Sequence, residues 1–478
     1  MSAGVLLPGF VGPTLPTWLA ERLRDGLAGV CLFSTNIESP EQLRALTDAI
    51  REANPLALIA IDEEGGDVTR LYGRTGSPYP GNALLGRIDD VDLTGTVATD
   101  VGWALRRAGI NLDFAPDIDI NSNSENPVIG TRSFGATAAL VARHTTAWVE
   151  GLQQTGVAAS VKHFPGHGDT ATDSHLALPV VDLGLQQLHI RELVPFAAAI
   201  AAGTKTVMTS HILLPQLDAD NPATLSAAIL RGLLRDDLGF EGVIVSDALD
   251  MRGASGTTGI PIAAVRALAA GADLLCIGTD NTDQQMTDIA SAIDAAIAAG
   301  TLTAERVADA VERNRALARD LLGASAAAPV PEFTGPAFPL DAAIAAFEVQ
   351  PGVTVRARRL VVTIETTANI AVGGSPWGLA AAGATTVAVR PGDTLPAVPA
   401  DVDQLVIVGK DNHRHAWVRE LVDLARQQHP STLVVDMGWP SDDRDYADVA
   451  TFGASRYVGL ALEAWLEQAS SIEKGQKQ

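Results

Sequence analysis

The chain has 478 residues, 47% of them hydrophobic, which permits two or three domains and excludes wholesale disorder. Its 57 acidic and 34 basic residues give a net charge of −23. This balance argues against a nucleic-acid partner or an anionic membrane surface, because both are bound by clustered Lys and Arg. Cys31 and Cys276 lie inside apolar runs, which predicts small core residues and excludes a disulfide framework. With no apolar stretch of ~18 residues and no signal-peptide pattern at the start, we expect a cytoplasmic protein.

Eight short apolar runs alternate with helix-length amphipathic segments over residues 1–325. The runs are Gly4–Leu7, Gly29–Phe33, Leu58–Ile61, Ile110–Phe114, Ala158–Val161, Thr206–Met208, Val243–Val245 and Asp273–Ile277. Apolar runs separated by helices are typical of buried parallel strands, so the predicted fold class is α/β, a (β/α)8 TIM-like barrel. Leu176–Val181 is an alternative strand, although Pro179 weakens it.

Helix signals fill the gaps between the runs. Ser39 at the N-cap and Pro40 at the first helical position predict a helix start by capping-box logic, with Gln42 at the third position. The stretch 304–322 has apolar residues at helical spacing and is predicted to end at Gly323. Residues 326–339, rich in Ala, Pro and Gly, are predicted to be a linker.

A second, weaker α/β pattern occupies residues 340–470, followed by a polar tail at 471–478. Leu360–Ile364, Thr386–Val389, Leu405–Val408 and Leu433–Val435 are strand-like, and Ala416–Gln428 and Tyr457–Glu467 are helix-like. Four or five parallel strands with helices predict a small three-layer sandwich domain.

Polar residues follow four of the predicted barrel strands. Asp62, Lys162-His163, His211 and Asp247 all come at or just after a strand end. Because the carboxyl ends of parallel barrel strands line one mouth, where active sites lie, these side chains are expected to converge. Any one of them alone could equally be a strand-end cap.

The segment Lys162–His175 holds three of the nine histidines. Pro165 and Gly166 separate His163 from His167, so these two cannot share a helical face as zinc ligands, and no metal is predicted. Proton transfer is the favoured reading, since Asp173 could orient and stabilise the imidazole of His175. A solvated loop with incidental histidines is the alternative.

Asp247 ends the run of residues 242–247 and could be a nucleophile, a metal ligand or a structural cap. The sequence shows no second cluster of carboxylates nearby to hold a cation, which favours a nucleophile. Asp250 is a nearby carboxylate that does not stand at the end of the apolar run, so it is not the predicted nucleophile.

These motifs together resemble bacterial β-N-acetylglucosaminidases of glycoside hydrolase family 3. The run KHFPGHGDTATDSHLALP (162–179) is the most specific segment. The same pattern occurs in IDEEGGDVTR (61–70), NLDFAPDIDI (111–120), IGTRSFG (129–135), VMTSHI (207–212) and LLRDDLGFEGVIVSDALDM (233–251). The resemblance covers residues 1–320 in order, and 340–470 is similar to the sandwich domain of two-domain members.

The resemblance implies a retaining exo-β-N-acetylglucosaminidase that hydrolyses β-linked GlcNAc, with peptidoglycan fragments as expected substrates and no cofactor. Asp247 resembles the nucleophile, His175 the general acid/base and Asp173 its dyad partner. The residues that resemble sugar contacts are Asp62, Arg70, Arg132, Lys162, His163 and His211. The oligomeric state is not predicted.

Two positions depart from the family pattern, and two other functions stay open. Ala248 stands where a second acid is common after the nucleophile, and Asp67 where a basic residue is common. Because an imidazole does not repel an anion, phosphate could replace water as acceptor, which would make the protein a phosphorylase. An inactive sugar-binding barrel is the remaining alternative.

Overall fold

The computed structural model describes residues 2–170, 178–256, 258–332, 338–368 and 371–476, with side chains described to residue 471. The chain forms two compact units. The first comprises residues 1–63, 91–120 and 136–334, and the second comprises 64–90, 121–135 and 335–478. The sequence predicts two consecutive units, 1–325 and 340–470, whereas two segments of the N-terminal half group with the second unit.

The first unit is built on eight parallel strands. They are β1 (Leu6–Pro8), β2 (Gly29–Leu32), β3 (Leu58–Ile61), β4 (Leu112–Asp113), β5 (Ala158–Phe164), β6 (Thr206–Thr209), β7 (Val243–Ser246) and β8 (Leu274–Gly278). Their order in the sheet is β1-β8-β7-β6-β5-β4-β3-β2. Ala28, just before β2, donates its N–H to the carbonyl of Ala3, close before β1 (3.3 Å), so the sheet curls into a nearly closed barrel. The TIM-like barrel prediction is confirmed.

The helices among the described residues are numbered in chain order. They are α1 (Thr17–Arg24), α2 (Pro40–Ala53), α3 (Asn82–Ile88), α4 (Val91–Arg107), α5 (Ala138–Gln153), α6 (Leu185–Ile190), α7 (Leu193–Ala201), α8 (Arg252–Ser255), α9 (Ile260–Ala270), α10 (Asp283–Ala298), α11 (Ala304–Ala327), α12 (Leu340–Ala346), α13 (Gly378–Ala381), α14 (Ala416–Gln428) and α15 (Arg456–Gln476). A π-helix spans Ala228–Asp237, and 3-10 turns span Ser2–Val5, Ser34–Asn36, Gly130–Arg132, Ala223–Leu225 and Asn412–Arg414.

The barrel core follows the period of two that strands impose. Leu58 and Ala60 of β3, and Val243 and Val245 of β7, enter the same buried cluster, because alternate residues point into the barrel. Cys276 of β8 lies in this cluster as well, as does Cys31. Both cysteines are therefore core residues, as the sequence predicts.

The second unit contains a six-stranded sheet with helices on both faces. Its strands are β9 (Glu348–Val349), β10 (Arg359–Ile364), β11 (Val387–Val389), β12 (Gln404–Gly409), β13 (Leu433–Asp436) and β14 (Val449–Ala450), in the order β11-β10-β12-β13-β14-β9. All pairs are parallel except β14 with β9. Leu405 and Ile407 pack in one apolar cluster with α14, while Val406 and Val408 pack in another with α15. This alternation makes the predicted three-layer sandwich.

Two helices extend beyond their predicted C-terminal ends, where the sequence continues with residues that favour helix. The Ser39 side chain does accept the Gln42 N–H (3.1 Å), as expected for the start of α2. However, α11 continues past Gly323 to Ala327, because the Ala-rich stretch after the glycine favours helix and Pro329 then stops it. Helix α15 likewise reaches Gln476 and includes most of the predicted tail. None of the helices among the described residues is long and apolar enough to cross a membrane.

Candidate active site

An ion pair between β5 and the end of β3 lies at the carboxyl end of the barrel strands. The Lys162 ammonium is 2.7 Å from Oδ1 of Asp62, with side chains 2% and 20% exposed. A buried lysine needs such a partner, because an unpaired charge in the interior is costly. The Asp62 carboxylate accepts hydrogen bonds and the Lys162 ammonium donates up to three. Together they suit sugar hydroxyls, which both donate and accept. Two of the predicted sugar contacts are thus brought together.

The ring of His163 is fixed by a buried carboxylate. Its Nδ1 lies 2.7 Å from Oδ2 of Asp119, and the His163 backbone N–H also points at that carboxylate (3.3 Å). The Asp119 carboxylate also accepts the backbone N–H of His167 (2.6 Å). Since a carboxylate accepts, Nδ1 of His163 carries the proton, and the tautomer of the imidazole is set.

Asp117, Asp119 and His163 are the one group among the described residues whose composition would suit a metal ion. Their candidate ligand atoms lie within 4.8 Å of one another. Nδ1 of His163 lies 2.7 Å from Oδ2 of Asp119, at hydrogen-bond distance, and 3.9 Å from Oδ2 of Asp117.

The turn after β5 requires glycine at two positions. Gly166 has φ +129°, and a Cβ there would lie 2.8 Å from Glu192. A Cβ on Gly168 would lie 1.7 Å from the carbonyl oxygen of Ile120. The loop beyond is held by Arg191, whose guanidinium bonds Asp169 at 2.6 Å. The turn is therefore tightly packed up to residue 170.

The predicted acid/base pair, Asp173 and His175, lies outside the described residues. Their roles stay predictions that follow from the sequence resemblance.

Asp247 stands directly after β7 and is half-buried. Its backbone N–H donates to Oγ1 of Thr209 on the neighbouring strand β6 (3.2 Å), and its Oδ1 accepts the N–H of Ala248 (2.7 Å). These bonds fix the carboxylate at the end of its strand. Asp250 instead accepts the N–H of Thr279 (3.2 Å), as a carboxylate that organises the loop after β8.

His211 has both ring nitrogens engaged within the protein. Nδ1 lies 2.9 Å from Oγ1 of Thr224, and Nε2 lies 3.0 Å from the carbonyl oxygen of Ala248. The ring is fully buried. Its predicted role as a sugar contact stays untested, whereas its geometry is that of a residue that positions the peptide after Asp247.

Two further predicted sugar contacts, Arg70 and Arg132, belong to the second unit. Arg132 forms a bidentate pair with Glu64, at 2.9 Å from Nε and 2.8 Å from Nη2, and both side chains are at most 5% exposed. Arg70 donates from Nη2 to the carbonyl of Ala371 (2.9 Å). Each guanidinium is thus oriented by a partner inside the same unit.

Sequence reasoning missed the carboxylates that support the predicted residues. Glu64 and Asp119 pair with Arg132 and His163, and Asp113 accepts the N–H of Glu63 (2.9 Å). Burial raises the pKa of Asp113 well above its usual range, which favours the neutral form of this carboxyl. Acidic residues directly after the apolar runs of β3 and β4 are the signal that could have identified them.

A parallel barrel with charged residues at the carboxyl ends of its strands defines an enzyme of the (β/α)8 class. The sequence profile described as "Glycosyl hydrolase family 3 N terminal domain" matches residues 17–317. The chain therefore belongs to glycosyl hydrolase family 3 and is a glycoside hydrolase.

Three similar proteins extend this comparison. A solved family 3 β-N-acetylglucosaminidase from Paenibacillus sp. FPU-7 is 31% identical, with a TM-score of 0.85 over 98% of this chain and 96% of that one. A beta-hexosaminidase from Methylococcus capsulatus is 37% identical over 66% of this chain and 93% of its own length. Beta-hexosaminidase A from Pseudoalteromonas piscicida is 39% identical over 55% of this chain, but the match spans only 47% of that protein.

Proposed function

We propose that the protein is a retaining exo-β-N-acetylglucosaminidase that removes β-linked GlcNAc from peptidoglycan fragments. The placement of Asp247 supports this proposal most strongly, since its half-buried carboxylate accepts the N–H of Ala248 at the end of β7, while its backbone N–H donates to Thr209. The similar Paenibacillus protein is named a β-N-acetylglucosaminidase and the Methylococcus protein a beta-hexosaminidase, which supports the proposed sugar. The cytoplasmic location stays a prediction.

In the first step, an Asp247 carboxylate oxygen attacks the anomeric carbon of the sugar. A covalent bond to that carbon forms while the bond to the departing oxygen breaks, and His175 gives this oxygen its proton. Asp173 stabilises the imidazolium form that donates. In the second step His175, now neutral, takes a proton from water, and the oxygen of that water displaces Asp247 from the sugar.

The sugar at the cleavage position is held by charged side chains in this proposal. Asp62 can accept from a hydroxyl, while Lys162 and Arg132 can donate to hydroxyl or acetamido oxygens through charge-assisted bonds. Lys162 and Arg132 are each already oriented by a carboxylate at 2.7–2.9 Å, which reduces the ordering that binding would require.

Proton NMR of the first product formed from an aryl β-N-acetylglucosaminide tests the proposal. A retaining enzyme releases the β-anomer of free GlcNAc before mutarotation, at the same rate with and without phosphate. Release of GlcNAc-1-phosphate in phosphate buffer would instead establish a phosphorylase. Release of the α-anomer, or no turnover, would overturn the proposal.

A further inference from the structure

Three buried polar side chains near the ends of β6 and β7 contact one another beside Asp247. Thr209 ends β6, His211 follows it by two residues, and Thr224 lies in the 3-10 turn Ala223–Leu225. None of the three side chains is exposed to solvent. We call them the threonine–histidine network. Polar groups buried this deeply are hydrogen-bonded in folded proteins, so their partners define what the network does.

Thr224 is the centre of the network. Its Oγ1 lies 2.7 Å from Oγ1 of Thr209 and 2.9 Å from Nδ1 of His211. The carbonyl oxygen of Ser210 is also near this hydroxyl, at 2.8 Å, but it already accepts the backbone N–H of Thr224 at 3.1 Å. The single hydroxyl proton of Thr224 is therefore available to His211.

The direction of each hydrogen bond follows from the groups that take part in it. A carbonyl oxygen only accepts, so Nε2 of His211 carries the proton that bonds the carbonyl of Ala248 (3.0 Å). In the neutral imidazole Nδ1 then accepts, and the hydroxyl of Thr224 donates to it. The hydroxyl of Thr209 donates in turn to Thr224, and its lone pairs accept the backbone N–H of Asp247 (3.2 Å).

This chain of hydrogen bonds begins and ends on the proposed nucleophile. It starts at the backbone N–H of Asp247, passes through the network and reaches the carbonyl of Ala248. The N–H of Ala248 then donates to Oδ1 of Asp247 (2.7 Å), so the backbone that the network holds also orients the carboxylate. Hydrogen bonds in such a chain polarise one another, and the loss of one weakens the others.

We infer that Thr224 is a positioning residue that fixes the Asp247 carboxylate for attack, through Thr209 and His211. The inference rests on the proposed function, since it takes Asp247 as the nucleophile. A displaced nucleophile slows the reaction, whereas the bound sugar is held by other groups in that proposal. The effect of Thr224 therefore belongs to kcat rather than to KM.

The test compares kcat and KM for an aryl β-N-acetylglucosaminide in Thr224→Val and Thr224→Ser. Valine keeps the shape of threonine without its hydroxyl, and serine keeps the hydroxyl. Thr47→Val is the matched control, because the Thr47 hydroxyl on α2 is equally buried and donates to the carbonyl of Ala108 (2.8 Å). The melting temperature of each variant measures how much of any loss comes from unfolding.

We expect Thr224→Val to lower kcat and kcat/KM equally, by roughly tenfold, the effect of one buried hydrogen bond, with KM unchanged. Thr224→Ser should recover most of this loss, and Thr47→Val should keep the wild-type kinetics although it also loses a buried hydroxyl. Wild-type kcat in Thr224→Val, or an equal loss in Thr224→Ser, would overturn the inference. A raised KM with unchanged kcat would overturn it as well, because that is the signature of a substrate contact.

Thr209→Val tests the same link from its other end. If Thr209 and Thr224 act as one network, the double variant should lose clearly less activity than the product of the two single losses. A loss equal to that product would show that the two hydroxyls act independently, and the inference would be wrong.

Nitrogen-15 NMR of the histidine-labelled protein tests the network without turnover. The wild type should show His211 with Nε2 protonated and with Nδ1 as an acceptor, and His211→Gln identifies these signals by removing them. Thr224→Val should shift the Nδ1 signal, and Thr47→Val should not. An unchanged Nδ1 signal in Thr224→Val would overturn the inference. A wild type that shows these signals but does not turn over the aryl glycoside would instead overturn the proposed function, and with it the role of Thr224 in the reaction.

Discussion

Glu64 and Arg132, 68 residues apart in sequence, form a buried bidentate ion pair in the second unit. Neither side chain is more than 5% exposed, so the two charges stabilise each other where little water reaches them. The guanidinium is thereby fixed in one orientation.

Removal of the Glu64 charge should therefore destabilise the fold strongly. Glu64→Gln removes the carboxylate charge that pairs bidentately with the buried guanidinium of Arg132, and we expect a loss of about 3 kcal/mol in the free energy of unfolding. Urea denaturation measures this. Asp403→Asn, which breaks an exposed pair with Arg358, is the matched control and should cost less than ~1 kcal/mol. Equal losses in the two variants would show that burial of the Glu64 pair has no special effect.

Lys162 is expected to act on substrate binding in both the ground state and the transition state. Lys162→Met should raise KM for an aryl N-acetylglucosaminide and lower kcat/KM by roughly tenfold or more, the effect of a lost charge-assisted bond. Lys205→Met, which removes an exposed lysine paired with Asp320, should leave both constants unchanged. Wild-type kinetics in Lys162→Met would show that the sugar is held elsewhere.

Glu192 should make the stability of the protein depend on pH. Burial raises its pKa from 4.5 to about 7, although Arg191 opposes the shift. The folded state thus favours the protonated carboxyl, and this contribution is complete below pH ~4.5 and is lost as the pH rises through 7. A shift of this size corresponds to roughly 3 kcal/mol.

Glu192→Gln should consequently flatten the decrease in unfolding free energy between pH 5 and pH 8. Glu150→Gln, at an exposed position of α5, serves as the control and should retain the wild-type slope. Thermal or urea unfolding at a series of pH values measures both slopes. An unchanged slope in Glu192→Gln would contradict the assignment.

His175 should matter most when the leaving group is poor. His175→Ala is expected to lose far more rate on a disaccharide than on an activated aryl glycoside, whose departure needs little protonation. The second step still needs a base, so a burst of phenol should precede slow turnover, and azide should increase the rate. Asp173→Ala should show the same effects more weakly. Equal losses on both substrates, without burst or azide rescue, would show that His175 only binds.

The barrel was predictable because its signals are local. Apolar runs such as Leu58–Ile61 repeat between helices, and the Ser39 cap is visible within three residues. The sequence also places Asp62, Lys162 and Asp247 at or just beyond the end of such a run, and the structure has each of them at or near the end of a strand. This position requires only that the strands be parallel.

The carboxylates that support the predicted site residues were not predictable, because they reach those residues through pairings over long sequence distances. Asp119 contacts His163 across 44 residues, and Glu64 contacts Arg132 across 68. No periodicity or spacing encodes these partners. The grouping of residues 64–90 and 121–135 with the second unit also depends on long-range pairings, such as the hydrogen bond from the Ala454 N–H to Asp67.

Covalent trapping at Asp247 tests the central claim most directly. His175→Ala, incubated with an activated aryl β-N-acetylglucosaminide, should accumulate the glycosyl-enzyme, which is then digested and analysed by mass spectrometry. The account predicts one N-acetylhexosaminyl group on the peptide that contains Asp247, and none when Asp247→Asn is combined with His175→Ala. A sugar adduct on another carboxylate, or turnover at the wild-type rate in Asp247→Asn, would contradict it.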